Sequence, residues 1–231
     1  MPAVADHKVL GGLPLFHGLP GADLARINDR LRSSRFTAGA PVLTASQTGE
    51  AVYIVRTGTL KVHIIREDGH EVTLALLGPG ELVGEMALLD LGGRSANVVA
   101  LESAELLWLD RATFHQLRRD IPLITDNLLA ILARRLRLAN AHFEALATLD
   151  VFGRVARQLI GLAEAYGEPV PGGGVRLPFR LTQGELANLI GATRVRVNQV
   201  LVDFKRRGYL TEDAGHRITV LNQAALEDFC R

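Results

Sequence analysis

Thiols are almost absent from this chain. Cys230, next to the last residue, is the single cysteine among 231 residues. No disulfide can close within the chain, and no cysteine-ligated iron–sulfur cluster can form from one copy; Cys230 reads as an incidental terminal thiol. Long apolar runs are missing as well. Stretches such as Leu74-Ala75-Leu76-Leu77 fall far short of the roughly 20 residues that span a bilayer. The opening residues, Met1 to Lys8, lack the charged and apolar regions of a secretory signal, so a cytoplasmic protein without a membrane partner is predicted. The chain also offers no Walker loop, nucleophile triad or metal box, its seven histidines being scattered without ligand spacing. His142 is a lone histidine on a helix, and a structural role outweighs haem or metal ligation there. An enzyme on a cupin-like barrel would need clustered His/Glu ligands. The expectation is a non-enzyme with no prosthetic group.

What the chain has is ordinary globular chemistry, 48% hydrophobic and 22% charged, with enough apolar mass for two cores. The formal net charge of +1 hides a division. Residues 1–150 hold 15 Lys/Arg against 17 Asp/Glu, whereas 151–231 hold 11 against 8, and 176–217 alone hold 8 against 4. A basic excess confined to one short stretch suits a phosphate-backbone partner, although a solvated basic face would give the same count.

Three rhythms follow one another. From about Phe36 to Leu109, short β-prone runs alternate with turn signals: Val52-Tyr53-Ile54-Val55 before Thr57-Gly58, then 60–65 before Glu67-Asp68-Gly69. The run 72–77 leads into Gly78-Pro79-Gly80, and 104–109 closes the series. Such spacing predicts a jelly-roll barrel, preceded by a helical segment over 22–31. The second zone, 121–148, is one long helix. Leu129, Leu132, Leu136, Ala139, Phe143 and Leu146 fall at alternating spacings of three and four, the seam of a helix paired with a copy of itself. Leu128, Ile131 and Leu138 form an adjacent stripe expected to pack on the helix's own barrel. Two separate apolar stripes favour dimerisation over a single core. Asp150 breaks this helix and can cap the next, 151–166; residues 168–174 read as a loop. Three domains are expected: 1–120, a dimerisation helix and hinge over 121–149, and 150–231.

In the third zone Thr182 and Glu185 form a capping box for a helix over 183–190. A second helix runs from about Thr193 to Arg207, and a hairpin joins Tyr209-Leu210 to Ile218-Thr219-Val220. Helix–turn–helix followed by a β-wing is a major-groove module. Val197, Val200, Leu201 and Phe204 form the buried stripe of the second helix. Thr193, Arg194, Arg196, Asn198 and Gln199 therefore lie toward its exposed amino end. Arg can fork onto guanine or serve phosphate, and Asn or Gln can fork onto adenine. His216 and Arg217 belong to the wing.

The barrel carries Gly84-Glu85-Met86-Ala87-Leu88-Leu89, then, after four intervening residues, Arg94-Ser95-Ala96. Glu85 to Leu89 can form one helical turn aimed at an anion. Arg94 adds a phosphate-matching fork and Ser95 a hydroxyl, while Glu85 could accept from a sugar hydroxyl. A structural Glu85–Arg94 salt bridge explains the same residues equally well on chemistry alone.

Taken together, these segments resemble the CRP/FNR family from about Leu15 to Val220. The resemblance rests on that cassette, on Ala133-Arg134-Arg135-Leu136, on Leu149-Asp150-Val151-Phe152-Gly153-Arg154, and on Leu181 to Ala187 with Thr193-Arg194. It implies an α+β fold: an amino-terminal cyclic-nucleotide-binding jelly-roll β-barrel, a long dimerisation helix and a carboxy-terminal winged helix-turn-helix. It further implies a homodimer on two-fold double-stranded DNA, with cyclic AMP as allosteric effector and RNA polymerase as a candidate further partner. By that resemblance Glu85 would bind the ribose hydroxyl, and Arg94 and Ser95 the cyclic phosphate. Gly84, Met86, Ala87 and Ala96 would shape the pocket, and Val62 and Leu74 would wall it. Arg194 would read bases, and Gln183 and Arg217 would complete the DNA surface. Three departures stand out. Ala139-Asn140 replaces a Thr-Ser pair that faces adenine; Asn140 can still hydrogen-bond a base edge of the nucleotide, but a hydroxyl is lost, a change worth on the order of 1 kcal/mol, so cyclic GMP, cyclic di-GMP, haem or no effector are the alternatives. Val195 stands where the family has Glu, with Gln199 in place of a later Arg. The cysteine set of the oxygen-sensing branch is missing.

Overall fold

The computed structural model describes residues 7–45, 47–90 and 93–231. Met1 to Asp6, read above for signal character, and Leu91 and Gly92, inside the cassette's spacer, lie outside them. The described chain forms two compact units, 1–64 with 75–137, and 65–74 with 138–231.

The first unit opens with α1 (His7–Gly11) and α2 (Gly21–Asn28) and continues into β1 (Arg32–Phe36), β2 (Pro41–Leu43), β3 (Ala51–Thr57) and β4 (Leu60–Ile65). After β5 (Glu71–Leu77) and β6 (Leu82–Val83) comes α3 (Met86–Leu89), then β7 (Asn97–Ala100), β8 (Ala104–Asp110) and α4 (Arg111–Asp120). The strands make two four-stranded sheets, ordered β1-β8-β3-β6 and β2-β7-β4-β5, which is the jelly-roll arrangement.

The near-continuous apolar run of β3 has a physical cause: the strand is buried on both faces. Val55 and Tyr53 join Leu60, Val98 and Leu106 between the sheets. Val52 and Ile54 face the opposite way, into a second cluster with Phe16, Ile27, Phe114 and Leu128. Strand β8 divides likewise, Leu106 inward and Leu107 and Leu109 outward. Period-two patterning is lost wherever both faces are dry.

The long helix α5 (Pro122–Thr148) starts on a proline, tolerated where an N–H would be unpaired anyway. Ile124, Leu128 and Ile131 are buried in the helical cluster of the first unit. The other stripe is bare: Leu129 is 59% exposed, Leu136 62% and Phe143 68%. Leu146 and Ala139 are exposed too, and Leu132 is half-buried. Leu138 corrects the sequence reading, which expected it to be covered, because it is 60% exposed. It falls beyond Arg137, where α5 has already passed into the second unit.

In that unit α6 (Val151–Tyr166) is capped by Asp150, whose side chain accepts from Gly153 N. Residues 168–174 are not wholly a loop. Glu168–Pro169 forms β9, which pairs with β10 (Val175–Arg176) and through it with the wing; a two-residue strand carries no periodicity to read. Next come α7 (Gln183–Ile190), α8 (Arg194–Arg206), β11 (Leu210–Glu212), β12 (Ile218–Val220) and α9 (Gln223–Glu227). A 3-10 turn, Asp228–Cys230, packs Phe229 against Phe152 and Phe204. Among the described residues no helix is long and apolar enough to cross a membrane.

Candidate functional site

In the barrel, Gly84 is the pivot. Its φ of +86° belongs to the region glycine enters without steric cost, and a Cβ there would run into Arg94 Nη1. The space left by the missing side chain admits the Arg94 guanidinium, which donates from Nη1 to Gly84 O (2.8 Å) and from Nη2 to Ala51 O (2.9 Å). Arg94 is only 8% exposed. Its Nε finds no partner, and no carboxylate lies within ion-pair distance of it among the described residues. Burial pulls its pKa below the ordinary arginine value, opposed by the fields of Tyr53 and Glu85. A buried cation held only by neutral carbonyls is an unfinished electrostatic arrangement.

Glu85 begins the short α3, with the N–H groups of Leu88 and Leu89 donating to its carbonyl. Its carboxylate is buried, and it does not bridge to Arg94. It accepts instead from Arg135 Nη1 at 2.7 Å. Arg135 also donates to Leu82 O and Glu81, and Arg134 pairs with Glu81. Arg135 was missed as a site residue: fifty positions separate it from Glu85, and nothing local in the sequence signals the contact. Ser95 is exposed, its Oγ 3.9 Å from Met86 Sδ, and Met86 is itself half exposed. Ala87 and Ala96 are buried. Val62 packs at the edge of the inter-sheet core, opposite Val98 in register. Leu74 is half exposed, and Asn140 is exposed and belongs to the second unit. Within the first unit the structure therefore brings Gly84 and Arg94 together, with Glu85 close enough for its field to act on Arg94.

The second unit presents the other candidate surface. The capping box forms: Thr182 Oγ1 accepts from Glu185 N, and Glu185 Oε2 accepts from Thr182 N at 2.8 Å. Thr193 caps α8 by accepting from Arg196 N. Val197, Val200, Leu201 and Phe204 are buried under that helix. Arg194, Arg196, Asn198 and Gln199 are exposed. Gln183 Nε2 donates to Asn198 Oδ1 at 2.8 Å, and Arg196 Nη1 to Gln199 Oε1 at 3.2 Å. The basic run at the far end of α8 is internally neutralised: Lys205 pairs with Glu212, and Arg206 and Arg207 with Asp203. In the wing, Asp213 Oδ1 accepts from the backbone of Gly215 and Arg217. These N–H groups hold its carboxyl below the usual range, Arg217 foremost. His216 Nδ1 lies 2.6 Å from Glu212, and Arg217 is exposed.

A jelly roll with a glycine-pivoted arginine, a long helix and a winged helix–turn–helix together define a DNA-binding regulator. Residues 33–120 match the cyclic nucleotide-binding domain and 153–229 the Crp-like helix-turn-helix domain. The chain is 34% identical over 203 residues to a CRP-like cAMP-activated global transcriptional regulator of Mycobacterium tuberculosis, covering 88% of this chain and 90% of that protein. It is 37% identical over 217 residues to the cyclic AMP receptor protein of Thermus thermophilus, covering 94% and 96%. Among solved structures, the c-di-GMP responsive global regulator CLP of Xanthomonas campestris is similar, with a TM-score of 0.71 and 25% identity over 87% of this chain and 99% of that one. The chain belongs to the CRP/FNR family of transcription regulators.

Proposed function

We propose that this DNA-binding regulator acts as a homodimer switched by a cyclic nucleotide, cyclic AMP, in the barrel. One observation carries the effector half: Arg94 is a buried guanidinium with an unpartnered Nε and, among the described residues, no carboxylate within ion-pair distance. A phosphate supplies the missing charge and matches the fork. Glu85, one residue from Gly84, is the acceptor for the ribose hydroxyl. Because Arg135 already holds that carboxylate, a ligand hydroxyl arriving at Glu85 has to share or displace a contact from α5. That is a differential interaction of the kind that shifts a two-state balance. Ser95 completes the phosphate shell, and Met86, Val62, Leu74 and Ala96 supply apolar lining.

The bare stripe Leu129, Leu136, Phe143 and Leu146, with Leu132 and Ala139, is the dimer seam. Paired copies would set two α8 helices on a two-fold DNA site, with Gln183, Thr193, Arg194, Arg196, Asn198, Gln199 and Arg217 as its contacts. The protein works in the cytoplasm, meets RNA polymerase at the bound site and catalyses no reaction of its own.

The test is calorimetric titration of cyclic AMP, cyclic GMP and cyclic di-GMP into ligand-stripped protein, with Arg94→Lys as control. Saturable cyclic AMP binding at one site per chain, weakened at least tenfold by Arg94→Lys, is expected. Binding of cyclic di-GMP alone would move the effector to the second reading, which the Ala139-Asn140 pair favours because no hydroxyl stands there for adenine. No heat with any of the three would overturn a nucleotide effector.

A further inference from the structure

Val195 has no structural task that the fold reveals. It occupies the first turn of α8, is 67% exposed, and sits between Arg194 and Arg196. The residues that α8 buries are Val197, Val200, Leu201 and Phe204. A β-branched side chain at an exposed helical position loses χ1 freedom and gains no packing. Seven residues on, Val202 is 55% exposed, so Val195, Gln199 and Val202 follow one another along one face. Two exposed valines thus stand on the polar surface assigned above to DNA, with Gln199 between them.

The two amides beside it are already committed in part. Gln183 donates to the Asn198 oxygen and Arg196 to the Gln199 oxygen. Reading adenine by a fork needs both the oxygen and the NH2 group of an amide. Each oxygen keeps a second lone pair, but both amides are tethered to protein neighbours, which restricts how a fork can be aimed at one base. Recognition of an A·T pair through these side chains is therefore handicapped. The other direct signal of that pair in the major groove is the thymine C5-methyl, the one apolar group displayed there.

We infer that Val195 reads that methyl, making one thymine in each half-site a determinant of specificity and rejecting cytosine, which lacks it. The inference rests on α8 being the recognition helix and deepens that reading. Burial of one methyl against Val195 corresponds to about a fourfold preference per half-site.

The experiment uses the full-length protein, with and without cyclic AMP, to enrich duplexes from a randomised pool. Each thymine of the enriched two-fold site is then replaced by deoxyuridine, which removes the methyl and nothing else. One symmetry-related thymine should stand out, its replacement weakening binding about fourfold per half-site. With Val195→Ala the same replacement should cost less than twofold. Val195→Glu should move the selected base from thymine to cytosine, whose amino group a carboxylate accepts. Thymines that are all insensitive, or losses that persist unchanged in Val195→Ala, would overturn the methyl reading while leaving α8 as the recognition helix. A pool from which nothing two-fold is enriched would remove the DNA-reading premise and the inference with it.

Discussion

Arg135 and Glu85 meet at 2.7 Å, the acid almost wholly buried and the guanidinium about a quarter exposed. Through this pair α5 grips the segment that carries Gly84, and the pair is the sole ionic contact of Glu85 among the described residues. Removing the cation leaves a carboxylate stranded in the protein. Such losses run to 3–5 kcal/mol for fully buried pairs and to about 0–1 for surface ones. Arg135→Ala is therefore expected to destabilise the protein by about 2 kcal/mol, read from the urea midpoint. The double variant Glu85→Gln, Arg135→Gln should recover most of that. An Arg135→Ala protein as stable as wild type would show that the pair contributes nothing.

Arg94 holds backbone directly. Arg94→Ala would leave the carbonyls of Gly84 and Ala51 without their donors, at about 1–3 kcal/mol for each unsatisfied group. Thermal unfolding should show this variant clearly weakened. Arg94→Lys, which keeps the charge and can still donate, should lose much less.

The bare stripe of α5 is testable by charge. Leu136→Glu or Phe143→Glu should turn a dimer into a monomer in sedimentation at micromolar concentration. Leu128→Ala, on the buried stripe, should leave assembly unchanged but cost about 2–5 kcal/mol of stability.

Acid should unfold the protein in two stages. Burial, with the fields of Arg118 and Arg111, holds the His115 pKa below its ordinary value, and burial with Arg154 does the same for His142. The unfolded chain then takes up these protons first, so stability begins to fall as pH drops below about 6.5. The Asp110 carboxyl is held low by Thr113, which donates from its backbone at 2.8 Å and its hydroxyl at 2.9 Å. Glu105 is held low first by the Ser33 hydroxyl. Their contribution is present above about pH 4 and lost as pH falls through their depressed folded values. Denaturant midpoints measured against pH should show both stages. The pair His115→Gln, His142→Gln should flatten the upper one and spare the lower.

The α7 cap supplies a further check. Thr182→Ala removes the acceptor for Glu185 N and should cost about 1 kcal/mol, seen as a lower melting temperature.

Local signals made much of this molecule legible. Thr182-Gln183-Gly184-Glu185, Asp150 and the three–four apolar spacing over 129–146 each announce a helix or its cap within one or two turns, and those helices formed where the residues stand. The buried stripe of α8 was readable because four apolar residues recur at helical spacing. What stayed hidden depends on distance along the chain or on brevity. Arg135 reaches Glu85 across fifty positions, α4 is an unremarked ten residues, and β9 is too short to have a period. Leu138 misled because periodicity places a residue on a face without saying where the neighbouring element ends. In the cassette the residue types were visible, but the partners were not. A mutual salt bridge of Arg94 and Glu85 is one of the two readings those residue types allow; instead Glu85 pairs with Arg135, and Arg94 donates to backbone carbonyls.

Gly153 sits where α6 passes the carboxy-terminal turn, so closely that a Cβ would stand 2.5 Å from Phe229 O. The two positions are therefore not independent as the sequence drifts. Alanine at 153 becomes acceptable only after the tail has moved, and a tail that moves gives up the contacts of Phe229, stacked on Phe152 and edge-on to Phe204. Among natural variants of this chain, residue 153 and the turn around 229 should change together or not at all.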